Sequence, residues 1–258
     1  MSSNANQRER GNPSVTVFGR RAVEEAIVTP EAEVERVAVS GRTPKEYRKA
    51  LRALCHERGM AMPDELDERE IGRLSGDPRH DQGVVARVRL TRVMDLDEFI
   101  VSRHGPASRE PTRLIGLDGV TNPQNVGMIV RSAMAAGMTG VLWPASGSPW
   151  VSGLIIKASA GVVYRTPIVR CGSLVEALWE LRAKGYETHG LAMDGTTLDE
   201  HDPAHRAVYL VGAEATGLSD EVLAELDGRL SIPMANGVES LNAAVAASLV
   251  CYRVMRSG

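Results

Sequence analysis

The chain has 258 residues, of which 43% are hydrophobic and 24% charged, the balance of a globular protein with one large domain or two ordinary ones. That excludes a disordered tail, a collagen-like fibre and a coiled coil, and no apolar run approaches the roughly 20 residues of a membrane span. The formal net charge is −3, so a nucleic-acid site here has to be a local patch, because no global basic footprint exists. Residues 1–112 hold 19 of the 30 basic and 19 of the 33 acidic side chains, net 0, which leaves 11 against 14, net −3, in 113–258. Cys55, Cys171 and Cys251 are odd in number and far apart, so they form no disulfide framework and read as buried small hydrophobes. The opening Met1-Ser-Ser-Asn is polar and lacks a signal pattern, and the expected location is cytoplasmic.

In chain order, residues 1–13 read as a flexible N-terminus. Residues 14–92 read as a small mixed domain, with a strand at 34–40, a helix at 44–58 and a strand at 83–90. Residues 93–112, which end in a stretch of loop composition, read as a linker. From there to 258 the pattern becomes short apolar strands (114–117, 140–143, 188–193, 208–211) alternating with helices. One helix opens on Ser173-Leu-Val-Glu176, a capping-box pattern. An apolar helix rich in Ala and Val closes the chain at 241–256. Alternating β and α of this size predict a parallel sheet covered on both faces.

Polar residues gather at three strand ends of the second domain, where ligands of open α/β sheets bind. The first cluster runs from Asn122 to Arg131 and includes Asn125. The second, Gly212-Ala-Glu-Ala-Thr-Gly217, lacks the central glycine of a dinucleotide fingerprint and the Lys-Ser/Thr of a P-loop. The third runs from Ile232 to Asn242. Taken singly, Asn122 and Asn125 are turn residues, Ser240 or Asn242 a helix cap, and Arg131 a solvated side chain. Taken together, three polar clusters at three strand ends make a site. His201 and His205 flank Pro203 in an acidic loop and read as surface residues, and no histidine pair has metal-ligand context. No Gly-x-Ser-x-Gly elbow suggests a hydrolase. In the first domain Lys45, Arg48, Lys49 and Arg52 share one helix face, by default a solvated face and alternatively a stripe that contacts phosphate.

Together, Asn122-Pro-x-Asn-x-Gly-x-x-x-Arg131, Leu210-Val-Gly-x-Glu214-x-x-Gly-Leu-Ser219 and Ile232-Pro-Met-x-x-x-x-x-Ser-Leu-Asn242 resemble the three ordered motifs of the SpoU (TrmH) family. These are RNA 2′-O-ribose methyltransferases of the SPOUT superfamily. Segments 17–26 and 82–86 are similar to the ribosomal-protein-like substrate-binding domain of its ribosomal RNA members. The resemblance implies a catalytic domain with a deep C-terminal trefoil knot, S-adenosylmethionine as cofactor, no metal, and a homodimer; periodicity itself shows no knot. It implies a cofactor pocket at Ala192, Gly212, Ala213, Glu214, Ile232, Met234 and Leu241. The matching polar active-site positions are Asn125, Arg131, Glu214, Ser240 and Asn242. RNA contacts are expected at Arg20, Arg21, Lys45, Arg48, Lys49 and Arg52.

The chain departs from the family pattern at Ala215, at Asn236-Gly237 and at Ala243-Ala244. The expected substrate is ribosomal RNA, either as housekeeping or as an antibiotic-resistance modification. A transfer RNA methyltransferase of the same family and a catalytically silent ribosome-assembly protein are the alternatives.

Overall fold

The structure, a computed structural model, describes residues 13–103 and 110–255. Residues 1–12 of the expected flexible terminus, 104–109 of the expected linker and 256 at the end of the last helix lie outside the described residues. The chain divides into two units, one of residues 13–92 with Val151–Lys157, the other of Val93–Trp150 and 158 onward.

The first unit contains β1 (Ser14–Phe18), α1 (Arg20–Val28), β2 (Glu33–Val39), α2 (Lys45–Glu57), β3 (Asp64–Glu65), α3 (Glu68–Ser75) and β4 (Val84–Arg89). Its four-stranded sheet has the order β1-β4-β2-β3, with β4 antiparallel to both β1 and β2. The carboxyl ends of β1 and β2 therefore meet the start of β4 at one end of the sheet. Helix α3 is held by a complete capping box, in which Asp67 accepts from the Glu70 amide and Glu70 from the Asp67 amide, and a left-handed Gly76 ends it. Val17, Ile27, Leu51, Ile71 and Val88 form its buried interior.

The second unit begins earlier than the composition suggests. Residues 93–103 are not linker: they form β5 (Val93–Asp95) and α4 (Leu96–Arg103). β5 adds in parallel to a strand more than 70 residues away, pairing Val93 with Ile168. Leu96, Phe99 and Ile100 are buried in one cluster with Leu174, Leu178 and Leu181. A three-residue strand whose partner is that distant leaves almost no local signal.

The remaining elements are β6 (Thr112–Leu117), α5 (Pro123–Ala135), β7 (Gly140–Pro144), the short α6 (Gly153–Ala158), β8 (Ile168–Cys171), α7 (Leu174–Arg182), β9 (Glu187–Thr197), β10 (Arg206–Val211), α8 (Asp220–Ala224), β11 (Gly228–Ser231) and α9 (Ala243–Met255). They build an all-parallel seven-stranded sheet in the order β11-β9-β10-β6-β7-β8-β5. β6 lies entirely buried near its middle, as a strand covered on both faces should.

Three local expectations need correction. Ser173 precedes α7 but makes no side-chain cap bond, so the capping box does not form. His201 is buried rather than superficial: a 3-10 turn tucks it against β10, with its Nε2 3.0 Å from the Tyr209 hydroxyl and its ring 4.5 Å from that of His189. Burial, with His189 alongside, holds its pKa below the ordinary imidazole value. Cys171 is only half-buried, whereas Cys55 and Cys251 are interior. Arg113, buried on β6, donates to the carbonyls of Pro203, Ala204 and Val254. It thereby satisfies one orphan carbonyl at the end of α9 and two in the loop before β10. Among the described residues no helix is long and apolar enough to cross a membrane.

Candidate active site

A cleft of about 470 Å³ opens at the carboxyl ends of β9, β10 and β11. Its first wall comes from an irregularity in the sheet. β11 pairs Arg229 with Gly190 and the next residue, Leu230, with Thr196, so residues 191–195 bulge out of the ladder. Leu191, Ala192 and Met193 therefore face the cleft instead of a neighbouring strand.

The second wall is the turn after β10. Ala213 and Gly217 exchange two backbone hydrogen bonds, of 3.0 and 2.8 Å, closing residues 213–217 into a ring. Two glycines permit it. A Cβ on Gly212 would stand 2.1 Å from the Gly217 carbonyl carbon, and Gly217 has φ +70°. Asp118, at the end of β6, accepts from both the amide and the hydroxyl of Ser219, at 2.6 and 2.9 Å, and so ties this ring to the central strand.

The third wall is the stretch before α9. Asn236 (φ +55°) and Gly237 (φ +71°) are both left-handed, and the Val238 amide donates back to the Ala235 carbonyl at 3.2 Å. These are the features of a type I′ turn, for which Asn-Gly is the favoured pair. One apparent departure from the family pattern is therefore ordinary turn chemistry.

All seven expected cofactor residues line this one cleft: Ala192, Gly212, Ala213, Glu214, Ile232, Met234 and Leu241, with Ser240 beside them. The polar residues meet through Asn242. Its Nδ2 donates to Asn125 Oδ1 at 3.0 Å and also to Glu214 Oε1, while its Oδ1 accepts from the Ala244 amide at 2.9 Å and the Val245 amide at 3.3 Å. Asn242 is thus both the cap of α9 and the hub of the cluster. Asn125 is buried in the first turn of α5. Asn122 caps that helix by accepting from the Gln124 amide, with Pro123 in the first helical position, so its role is structural.

Arg131 does not join the cluster. It is exposed on α5, six residues and about 9 Å of helix beyond Asn125. Among the described residues it has no ion pair or hydrogen bond. It shares its face of α5 with Met128, which is also exposed. Ala243 and Ala244 are buried where α9 begins, and Ala243 lines the cleft.

The expected RNA-contacting residues of the first unit separate into two groups. Arg48 and Arg52 both turn to Glu65, at 3.8 and 2.8 Å, whereas Lys45 and Lys49 are exposed and have no acidic partner among the described residues. Arg21 is exposed, and the Arg20 guanidinium lies 5.3 Å over the Tyr47 ring.

Residues 112–252 match the SpoU rRNA Methylase family. A Mycolicibacterium vanbaalenii protein, named an uncharacterized tRNA/rRNA methyltransferase, is 36% identical over 79% of this chain and 64% of its own length. The chain thus spans just under two thirds of that relative. A Staphylococcus saprophyticus protein, whose name assigns it to the TrmH family of tRNA/rRNA methyltransferases, is 30% identical over 94% of this chain and 95% of its own. The SpoU methyltransferase AviRb of Streptomyces viridochromogenes, solved in complex with the cofactor AdoMet, superposes with a TM-score of 0.72 at 25% identity. That match covers 98% of this chain and 93% of the other. The parallel α/β fold of the second unit is that of SpoU methyltransferases.

Proposed function

Because the chain belongs to the SpoU rRNA Methylase family, we propose that it transfers a methyl group from S-adenosylmethionine to a ribose 2′-hydroxyl of ribosomal RNA, as a cytoplasmic homodimer. The observation that carries this reading is the Asn125–Asn242–Glu214 cluster beside a cleft lined by all the expected cofactor residues.

The residues present fit that cofactor. The cleft volume lies within the roughly 300–1,000 Å³ of small-molecule sites, and Leu191, Ile232, Met234 and Leu241 give it apolar walls. Glu214 sets a carboxylate on its lining, suited to a cationic centre. When bound, S-adenosylmethionine supplies an electrophilic methyl group. The protein's part is to hold a ribose hydroxyl in line with it, and such positioning can lower a barrier by about 7–11 kcal/mol. The Glu214 carboxylate takes the hydroxyl proton, Asn125 Oδ1 offers only a hydrogen-bond acceptor, and Asn242 fixes both. The planar Arg131 guanidinium, set apart from that cluster, is suited to grip a phosphate neighbouring the ribose. Selection of a 2′-hydroxyl makes RNA, not DNA, the substrate.

A second copy would cover the exposed apolar side chains of α9 and Met128 of α5, which shares its helix face with Arg131. The C-terminal trefoil knot belongs to the same proposal. Its support is that α9 leaves β11 at the sheet edge yet packs on α5 and β10 in the middle.

The test is transfer of tritiated methyl from S-adenosylmethionine to unmodified ribosomal RNA and, separately, to transfer RNA, followed by alkaline hydrolysis. A 2′-O-methyl group blocks cleavage at its own phosphodiester, so label in alkali-resistant dinucleotides from ribosomal RNA is expected. Label released as base-methylated mononucleotides would overturn the ribose assignment. Label confined to transfer RNA would overturn the ribosomal one.

A further inference from the structure

The first unit carries 16 basic and 14 acidic side chains, yet they are not evenly mixed. Over the sheet and on the arginines of α2 most cations are paired: Arg36 with Asp64, Arg48 and Arg52 with Glu65, Arg87 with Glu35, and Arg89 with Glu33 and Glu35. The end of the sheet where β1, β2 and β4 meet is different. Three loops are laced together there. The Gly19 amide donates to the Val84 carbonyl, the Arg20 amide to Gln82 Oε1, the Ser40 amide to the Gly83 carbonyl and the Tyr47 hydroxyl to the Arg20 carbonyl.

Arg42 crosses from one loop to another, donating to the Pro78 carbonyl and to Asp81. Asp81 is fully buried and also accepts from the Ser75 hydroxyl and the Gly83 amide. Its charge is spent inside the loop, while Arg42 remains exposed. Around this platform stand Arg21, Lys45 and Arg79, all exposed. Among the described residues none of the three has an acidic partner. Gly83 makes the close approach possible: it has φ +77°, and a Cβ there would lie 2.7 Å from Thr43 Oγ1.

We propose that this loop end, through Arg21, Lys45, Arg79 and Arg42, is where the first unit grips the RNA phosphate backbone. The α2 stripe around Arg48 and Arg52 is not that surface, because Glu65 already occupies it. Arg42 is held rigid by Asp81, which lowers the ordering cost of a phosphate contact. The other three supply mobile charge, each able to release a condensed counterion from RNA. The inference rests on the proposed RNA substrate.

The experiment measures binding of the full-length protein to an in vitro transcript of large-subunit ribosomal RNA over a range of salt concentrations. The Arg21→Ala/Lys45→Ala/Arg79→Ala triple variant should bind at least about tenfold more weakly, and its log-affinity against log-salt slope should fall by about two to three. The Arg48→Ala/Arg52→Ala variant should stay within about twofold of the parent. Thermal melting and S-adenosylmethionine affinity should match the parent in both. A triple variant with unchanged RNA affinity and slope would overturn this surface while leaving the methyltransferase reading intact, and so would a larger loss in the Arg48/Arg52 variant. A parent protein that bound no RNA at all would overturn the substrate reading itself.

Discussion

Asn242 donates to Asn125 and Glu214 and accepts from the first turn of α9, so its two roles can be separated by substitution. Asn242→Ala removes both, and the lost cap alone costs about 1 kcal/mol, or about 2–4 °C of melting temperature for a unit of this size. Asn242→Asp keeps the capping oxygen but cannot donate, and it sets a second carboxylate against Glu214. Methyl incorporation should collapse by at least about a hundredfold in both variants, with the larger melting change in the alanine form. Full activity in Asn242→Asp would remove the hub from the mechanism. Arg131 stands apart from that hub and is exposed, so Arg131→Ala should abolish methyl transfer while sparing melting temperature and cofactor affinity. Arg131→Lys should rescue little, because an ammonium cannot reproduce the planar fork. Near-normal tritium incorporation by Arg131→Ala would sink its assigned part.

Helix α9 is apolar on two sides. Ala244, Ala247, Val250, Cys251 and Val254 are buried within the unit, and the Ser248 hydroxyl donates to that of Ser132 on α5 at 2.7 Å. On the other side Val245, Leu249 and Tyr252, at i, i+4 and i+7, are 48, 44 and 42% exposed, and Met128 on α5, the helix against which α9 packs, is exposed too. A stripe of that width on a helix normally has a partner. Light scattering at micromolar concentration should give a dimer mass, and Leu249→Glu should shift it to monomer without unfolding the protein. A monomeric parent would remove the proposal. The two-sided apolar character was legible in the sequence because Ala, Val and Leu fill eight of the thirteen positions. The starting residue was not legible: Leu241 looks helical by composition, but it belongs to the cleft wall, and the helix begins only after the Asn242 cap.

At the scale of the chain, the boundary between units matters for any dissection. Removing residues 1–112, the cut that composition suggests, deletes β5 and α4 together with buried Leu96, Phe99 and Ile100, each contributing about 1.5–3 kcal/mol. Removing residues 1–92 keeps them. The shorter product should melt lower than the longer by roughly 10 °C or more, and equal melting temperatures would show that β5 and α4 contribute nothing. What could be read from the sequence divides the same way. The site motifs are local strings whose glycines, prolines and amides act on neighbours a few positions away, and the cofactor residues they single out fall together at one cleft. The rest depends on distant partners. β5 needs Ile168, the pairing of Arg48 and Arg52 needs Glu65, and the burial of His201 needs Tyr209 across a turn whose Asp202 and Pro203 read as surface. The bulge at residues 191–195 is set by the register of β11, which no window of β9 contains.

The ring at 213–217 also bears on how this sequence can drift. Its shape is fixed by two main-chain hydrogen bonds and by the anchor from Asp118 to Ser219, not by the side chains at its tip. The backbone of Ala215 is not left-handed, so its methyl group adds no strain. Ala215 and Thr216 are exposed, free to vary without moving Glu214 beside them. The intolerant positions are the quiet ones, Gly212 and Gly217, together with Asp118 a hundred residues upstream. Random substitution under selection for methyl transfer should therefore leave a pattern with tolerant residues on the rim of the catalytic turn and invariant ones at its base.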